Sequence, residues 1–339
     1  MKPQGAIKPR RKSRTPILDV VGVAISALAV GVLGALIAAH GDPAFAFRLN
    51  VLLQHVYSFP GAALHHNARC TYWQAWSLSP PVEKLLADRA VLNALQVEKR
   101  DGPMELVRTP LGPFWIPVRE FAVLAETVAE QQRDVYESTA SGVQRGDVVL
   151  DCGANIGVYT RHALDRGAKL VVAIEPAPES LECLRRNLDK EIASGRVVVY
   201  PKGVWNKDDE LQLSISDHWA STAASVVLDR GGKGPRVPLT TIDKVAAELK
   251  LPSVDFIKMD IEGAEMEALE GAVETVRRFR PRMAISVEHR PRDPDEIPKL
   301  VHRLWPDYRY ECGPCVNVSG SIQPDVLFAE PASPVAQAH

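Results

Sequence analysis

Gly146-Asp147-Val148-Val149-Leu150-Asp151-Cys152-Gly153-Ala154-Asn155-Ile156-Gly157 decides how the rest of the chain is read. A short β-branched run passes directly into a glycine-bearing loop, and sequence compatible with a helix follows. A strand–loop–helix junction of this kind lies at the carboxyl edge of a parallel sheet, where open α/β sheets bind ligands. Its glycines permit dihedrals that other residues avoid and let a ligand approach the main chain closely. The loop departs from the dinucleotide pattern G-x-G-x-x-G because it opens with Asp151. A carboxylate at that place repels a pyrophosphate and favours a ligand that carries positive charge.

Downstream of this stretch, short β-branched runs alternate with helical ones. The strands expected are Val148–Leu150, Leu170–Ile174, Val197–Tyr200, Asp255–Met259 and Met283–Val287. Leu181, Leu184 and Leu188 mark one amphipathic helix, and Met266, Leu269, Val273 and Val276 mark another. Alternation of this sort predicts crossover units and a mainly parallel, doubly wound sheet. Tyr308–Tyr310 and Val326–Phe328 predict a closing antiparallel hairpin. Eighteen residues after Gly157 the second strand ends in Glu175-Pro176. An acid at that strand end suits the two hydroxyls of a ribose. Glycine loop and spaced acid together indicate a nucleoside cofactor, and Asp151 indicates a cationic one such as S-adenosylmethionine.

The fourth strand of the series ends in Lys258-Met259-Asp260-Ile261-Glu262-Gly263-Ala264-Glu265, which brings Asp260 and Glu262 to the same sheet edge. GDVVLDCGANIGVYT, the strand-end IEP and FIKMDIEGAEMEALEGA, in this order and at these intervals, resemble the FkbM-family methyltransferases. VPLTTIDKV and ISVEHR agree with that resemblance, which covers Val118 to Ala329. It implies a Rossmann-like methyltransferase fold and S-adenosylmethionine-dependent methylation of an oxygen on a sugar, glycolipid or polyketide-like acceptor. Carried over by residue, Asp151, Gly153, Ala154, Asn155 and Gly157 would line the methionine side of the cofactor. Glu175 would hold its ribose, and Gly203 and Val204 would lie near the adenine. Asp260, Glu262, Glu288 and His289 would face the acceptor, with Asp260 favoured as the proton acceptor.

Upstream, residues 20–39 (VVGVAISALAVGVLGALIAA) carry no charge. At ~1.5 Å per residue they span ~30 Å, the thickness of a bilayer's hydrocarbon core. The basic segment 1–19 before them predicts a membrane anchor with its N-terminus in the cytoplasm. Ala44-Phe45-Ala46 offers the competing reading of a cleaved signal, and the length of the apolar run favours the anchor. A fairly apolar stretch, Phe45–Leu64, offers a way back to the membrane, so the body is expected on the cytoplasmic side. Ala27, Gly31, Ala35 and Ala39 share one face, a pattern that permits self-association of such helices. Residues 40–117 are read as an irregular extension with a short helix near Val82–Leu95. Residues 118–330 are read as the methyltransferase domain, and 331–339 as a disordered tail.

The net charge is −2, yet residues 1–19 carry +5, which leaves the remainder mildly acidic. Nucleic-acid binding rests on clustered Lys and Arg, so a nucleic-acid substrate is not expected. Five cysteines are no disulfide framework and fit a reducing compartment, the one bridge considered being Cys312–Cys315. Cys312-Gly-Pro-Cys315 spells a redox motif, but it lies between two late strands rather than at a strand–helix junction. Zinc would need about four ligands, and no second Cys or His pair stands at metal spacing, so no metal is expected. Two other classes compete: a membrane-tethered scaffold with the same fold but no catalysis, and a nucleoside-cofactor oxidoreductase. The intact acids speak against the first, and Asp151 speaks against the second.

Overall fold

The computed structural model describes residues 82–332, except 119, 139–140, 216–224, 230–231 and 319–320, and upstream of them residues 67, 69, 70 and 73. The expected anchor at 20–39 and the tail after residue 332 lie outside the described residues. Among the described residues no helix is long and apolar enough to cross a membrane.

Helix α1 (Val82–Ala94) leads into β1 (Gln96–Asp101), β2 (Met104–Thr109) and β3 (Gly112–Pro117), then α2 (Phe121–Gln132). The short helix was expected; the antiparallel meander that follows it was not. Residues 96–117 are therefore not irregular. Every residue of β1 is exposed, so that strand shows no alternation of apolar and polar positions to read. The meander nonetheless has a core. Val107, Phe114 and Ile116 pack with Leu124 and Val128 of α2 and with Ile156 and Val158 beyond the glycine loop.

The main sheet begins with β4 (Val148–Cys152), followed by α3 (Val158–Asp165), β5 (Leu170–Ile174), α4 (Pro178–Asn187), α5 (Asp189–Ala193) and β6 (Val197–Tyr200). All five residues of β4 are buried. A strand covered on both faces reads as a continuous apolar run, which is why this part of the sequence was plain. Pro178 opens α4, where its missing N–H costs nothing. Asn187 at the end of α4 ties the meander to the main body. Its side chain accepts from Trp115 N (2.6 Å) and donates to Trp115 O (3.0 Å) and Ile156 O (2.8 Å).

A small second sheet follows from β7 (Gly203–Val204), β8 (Asp209–Ile215) and β9 (Gly232–Thr240), ordered β7-β9-β8. The chain then returns through α6 (Ile242–Glu248) to β10 (Phe256–Met259). Thr241 caps α6 by accepting from Lys244 N at 3.1 Å. Where the sequence predicted a single helix, the chain forms α7 (Glu265–Glu270) and α8 (Val273–Phe279). The break falls at Gly271, where a Cβ would stand 2.0 Å from the Trp205 carbonyl oxygen. Close approach of that backbone needs the glycine, and the helix ends there.

Strand β11 (Arg282–Ser286), helix α9 (Asp293–Leu304) and strands β12 (Tyr308–Cys312), β13 (Cys315–Val318), β14 (Ser321–Pro324) and β15 (Val326–Pro331) complete the chain. The seven-stranded order is β12-β15-β11-β10-β4-β5-β6. The run β11-β10-β4-β5-β6 is parallel, and β12 and β15 close one edge antiparallel, as the sequence predicted. An additional β13–β14 hairpin is inserted between them. From β4 the chain builds outward to β5 and β6, then crosses back to β10 on the other side. The crevice between the carboxyl ends of β4 and β10 is thus the switch point of the sheet.

The cysteine reading is corrected. Cys315 pairs with Cys70, 245 residues away, with 6.1 Å between their Cα atoms, while Cys312 is free. Such a pairing is invisible to local spacing, and it stands in place of the Cys312–Cys315 bridge that was considered.

Candidate active site at the switch point

Two loops meet at the crevice. After β4, Gly153 (φ 79°), Asn155 (φ 51°) and Gly157 (φ 91°) take left-handed conformations; after β10, Glu262 (φ 57°) and Gly263 (φ 94°) do the same. Asn155 and Glu262 are two of the non-glycine residues with left-handed backbone, one in each loop. The loops touch at Gly153, where a Cβ would lie 1.9 Å from the Asp260 carbonyl oxygen. Only a glycine allows that approach.

A cavity of about 270 Å³ opens above this contact. One end is apolar, walled by Val204, Leu213, Val226 and Leu239 with Gly203 and Pro176. Glu175, at the end of β5, is part of the lining. Its Oε1 accepts from Ala177 N (2.7 Å) and its Oε2 from Asn155 N (2.9 Å), which fixes the carboxylate. Burial raises its pKa to about 7, against the pull of those two N–H groups. The other end is acidic. Asp260, Glu262, Glu288 and His289 converge there, joined by Glu126, Thr127, Glu130 and Gln131 from α2. Helix α2 therefore lines the acidic end of the cavity.

Lys258, on β10, is the group that sequence reasoning passed over. Its side chain is 4% exposed. The ammonium donates to Gly153 O at 3.2 Å, faces Asp151 Oδ1 at 3.5 Å and Asp260 Oδ2 at 3.7 Å, and lies over the rings of Tyr136 and Tyr159. Burial works against its charge, but Asp260, Asp151 and Glu130 outweigh it and hold its pKa above the ordinary lysine range. A lone Lys in Phe-Ile-Lys-Met, inside a strand expected to be buried on both faces, was the signal available. Tyr136 was also missed. Its hydroxyl donates to Asp260 Oδ2 at 2.9 Å.

Two of the twelve expected site residues are displaced from the cavity. Asp151 is fully buried beneath the loop rather than at its rim. Its Oδ2 accepts from Thr160 Oγ1 at 2.6 Å and its Oδ1 faces Lys258. Burial raises its pKa, opposed by Lys258 and Thr160. Gly157 also lies outside the lining and packs against Leu188, whose Cδ1 would be 2.8 Å from an added Cβ. The other ten, Gly153, Ala154, Asn155, Glu175, Gly203, Val204, Asp260, Glu262, Glu288 and His289, line one cavity.

The acidic end is organised around His289. Its Nδ1 is 3.0 Å from Oε1 of the fully buried Glu265, and its Nε2 points toward Asp260, Glu288 and Glu262. Burial lowers the imidazole pKa, but Glu288, Glu265 and Glu262 more than reverse this and leave it well above the ordinary histidine range. For Asp260, burial opposes the charge, but Lys258, His289 and the Tyr136 hydroxyl hold its pKa below the usual carboxylate range. Burial also pushes Glu288 and Glu130 well up. The cluster thus pairs an ionised carboxylate with a protonated imidazole in a pocket with more acids than bases.

Comparison with known proteins agrees with this geometry. The model of the methyltransferase FkbM domain matches residues 151–312. The chain is similar to the hexuronic acid methyltransferase AglP of Haloferax volcanii, 25% identical over 177 residues, covering 50% of this chain and 67% of that one. It is similar to the 2-O-methyltransferase NoeI of Sinorhizobium fredii, 29% identical over 160 residues, covering 43% and 66%. It is also similar to the 31-O-demethyl-FK506 methyltransferase FkbM of Streptomyces tacrolimicus, 28% identical over 154 residues, covering 37% and 59%. The matched region thus spans about two thirds or less of each relative's length.

Because Gly153 combines a left-handed φ with backbone contact, Gly153→Ala is expected to destabilise the fold by about 2–4 kcal/mol. Gly157→Ala, which meets only the end of a leucine side chain, is expected to cost less. Urea denaturation of both variants checks the order; equal and small losses would contradict it.

Proposed function

We propose that this chain, which carries a methyltransferase FkbM domain over residues 151–312, transfers the methyl group of S-adenosylmethionine to a hydroxyl oxygen. The observation that carries the proposal is one cavity lined by an apolar group of residues, an acidic group and Glu175. The apolar end, with Val204, Leu213 and Leu239, fits a purine. The fixed carboxylate of Glu175 fits a pair of ribose hydroxyls, since each of its oxygens accepts one backbone hydrogen bond and keeps a further lone pair. The acidic surroundings of Asp260 and Glu130 suit a cation at the junction of the two ends. The cofactor, when bound, supplies an already activated methyl group as a sulfonium.

The work left to the protein is alignment and proton handling. Orientation of the two reactants can supply ~7–11 kcal/mol of the barrier. Asp260, ionised and anchored through Oδ2 by Tyr136, accepts a hydrogen bond from the acceptor hydroxyl and takes its proton as the new bond forms. His289, protonated among its carboxylates, donates to a neighbouring acceptor oxygen. Asp151 acts at one remove by holding Lys258, which in turn sets Asp260 and the Gly153 carbonyl.

The activities named for the three relatives support an oxygen acceptor, two of them at a numbered oxygen position and one on a hexuronic acid. We take a sugar, glycolipid or polyketide-like compound as the class. The apolar segment 20–39 favours a lipid-linked or membrane-near member of it.

S-Adenosylhomocysteine is expected to raise the melting temperature. Ionised Glu175 is the form that accepts from both hydroxyls, so affinity should fall on the order of tenfold from pH 8 to pH 6, and Glu175→Gln should flatten that profile. No shift at any pH would overturn the cofactor assignment. Asp260→Asn is expected to lower kcat by ~10²–10⁴-fold while leaving the affinity for S-adenosylhomocysteine within about threefold. Unchanged turnover of a tritiated methyl donor would remove Asp260 from the chemistry.

A further inference from the structure

We propose that Asp260, Glu288 and His289 form a binding site for one divalent cation of the Mg²⁺ or Mn²⁺ class. One ligand atom from each of the three lies within 4.8 Å of the others. His289 Nε2 stands 3.4 Å from Asp260 Oδ1 and 3.6 Å from Glu288 Oε1, with Glu262 Oε2 at 3.7 Å. These separations are longer than good hydrogen bonds, which lie near 2.7–3.2 Å in general. Neighbouring ligands of an octahedral ion with bonds of ~2.1 Å stand ~3 Å apart, so the groups would draw together by about half an ångström around an ion.

The outer groups are those that a metal site needs. A ligating histidine almost always gives its other ring N–H to a carboxylate or carbonyl, which fixes tautomer and ring orientation. Glu265 does this: its side chain is 0% exposed, and Oε1 holds His289 Nδ1 at 3.0 Å. The imidazole itself is nine-tenths buried, with Nε2 aimed into the cluster, and an ion bound there takes the place of the proton that Nε2 carries without it. Asp260 is held in the same manner. Tyr136 occupies Oδ2 at 2.9 Å and leaves Oδ1 on the side of His289. Glu288 keeps Oε2 buried, with the carboxyl of Asp325 as its neighbour.

The donor set chooses the class of ion. Two carboxylates and one imidazole, without a thiolate, favour hard to borderline cations. Sequence spacing concealed the site, because Asp260 and His289 come from the ends of different strands, β10 and β11, and form no local motif. The ion's position in the cavity suggests its use, and this use rests on the methyl-transfer reading. Open coordination positions would grip two neighbouring oxygens of an acceptor, as in a vicinal diol or a hydroxy acid, and lower the pKa of the hydroxyl to be methylated. Binding of the ion itself does not depend on that reading.

The test titrates the full-length, metal-free chain with Mn²⁺ and follows the loss of the free-ion signal by electron paramagnetic resonance. One saturable ion per chain is expected. His289→Ala and Glu288→Gln should each weaken binding at least tenfold. Glu265→Gln, which touches no ion, should weaken it about 10–100-fold as an outer-group change does. A parallel melting experiment with S-adenosylhomocysteine shows that each variant is folded. Absence of saturable Mn²⁺ binding, or binding undiminished in His289→Ala and Glu288→Gln, overturns the site. A protein that responds to S-adenosylhomocysteine but not to Mn²⁺ loses the cation site alone. One that binds Mn²⁺ but not S-adenosylhomocysteine keeps the cation site and loses the methyl-transfer reading.

Discussion

A buried ammonium group connects the two loops from which the site is made. Lys258 reaches the Gly153 carbonyl of one loop and the Asp260 carboxylate of the other, with Asp151 beneath it and two tyrosine rings beside it. Taking such a charge out of water costs several kcal/mol, and it is tolerated only where opposite charge and hydrogen bonds surround it. Here both conditions are met. The arrangement fixes the loops' separation, and Gly153, which leaves no room for a side chain between them, allows the fit.

From that joint the division of the cavity follows. Strand ends β5 and β7 and the small second sheet supply an apolar half, while β10, β11 and α2 supply an acidic one. Glu175 lines the same cavity, immobilised by two backbone N–H groups. The meander of β1–β3 serves the same end from outside. It packs on α2, and through Asn187 it is tied to Ile156 at the glycine loop. What resembled an extension is part of the support for the candidate site.

How much of this was legible in the sequence depended on whether the signal was local. The parallel strands were plain because burial on both faces makes them continuous apolar runs, and GANIG and KMDIEGAE carried their own positions at the sheet edge. The orientation of Asp151 was not legible for the same reason that its strand was. In a strand with no solvent face, alternation does not tell which side chain meets the cavity and which meets the core, and Thr160 and Lys258 draw Asp151 inward. The pairing of Cys70 with Cys315 and the meeting of Asp260 with His289 are products of topology, and residue spacing holds no trace of them. Strand β1 escaped because it is exposed throughout, so no hydrophobic period marks it.

The central claim is that Lys258 holds the two loops together and that the cofactor end depends on this. Lys258→Met keeps the length of the side chain and removes its charge, leaving Asp151 buried without its partner. Measured by urea denaturation at pH 8 together with S-adenosylhomocysteine titration, the variant is expected to lose about 3–5 kcal/mol of stability and at least tenfold in affinity. Stability within about 0.5 kcal/mol of the parent, with unchanged affinity, would contradict the account.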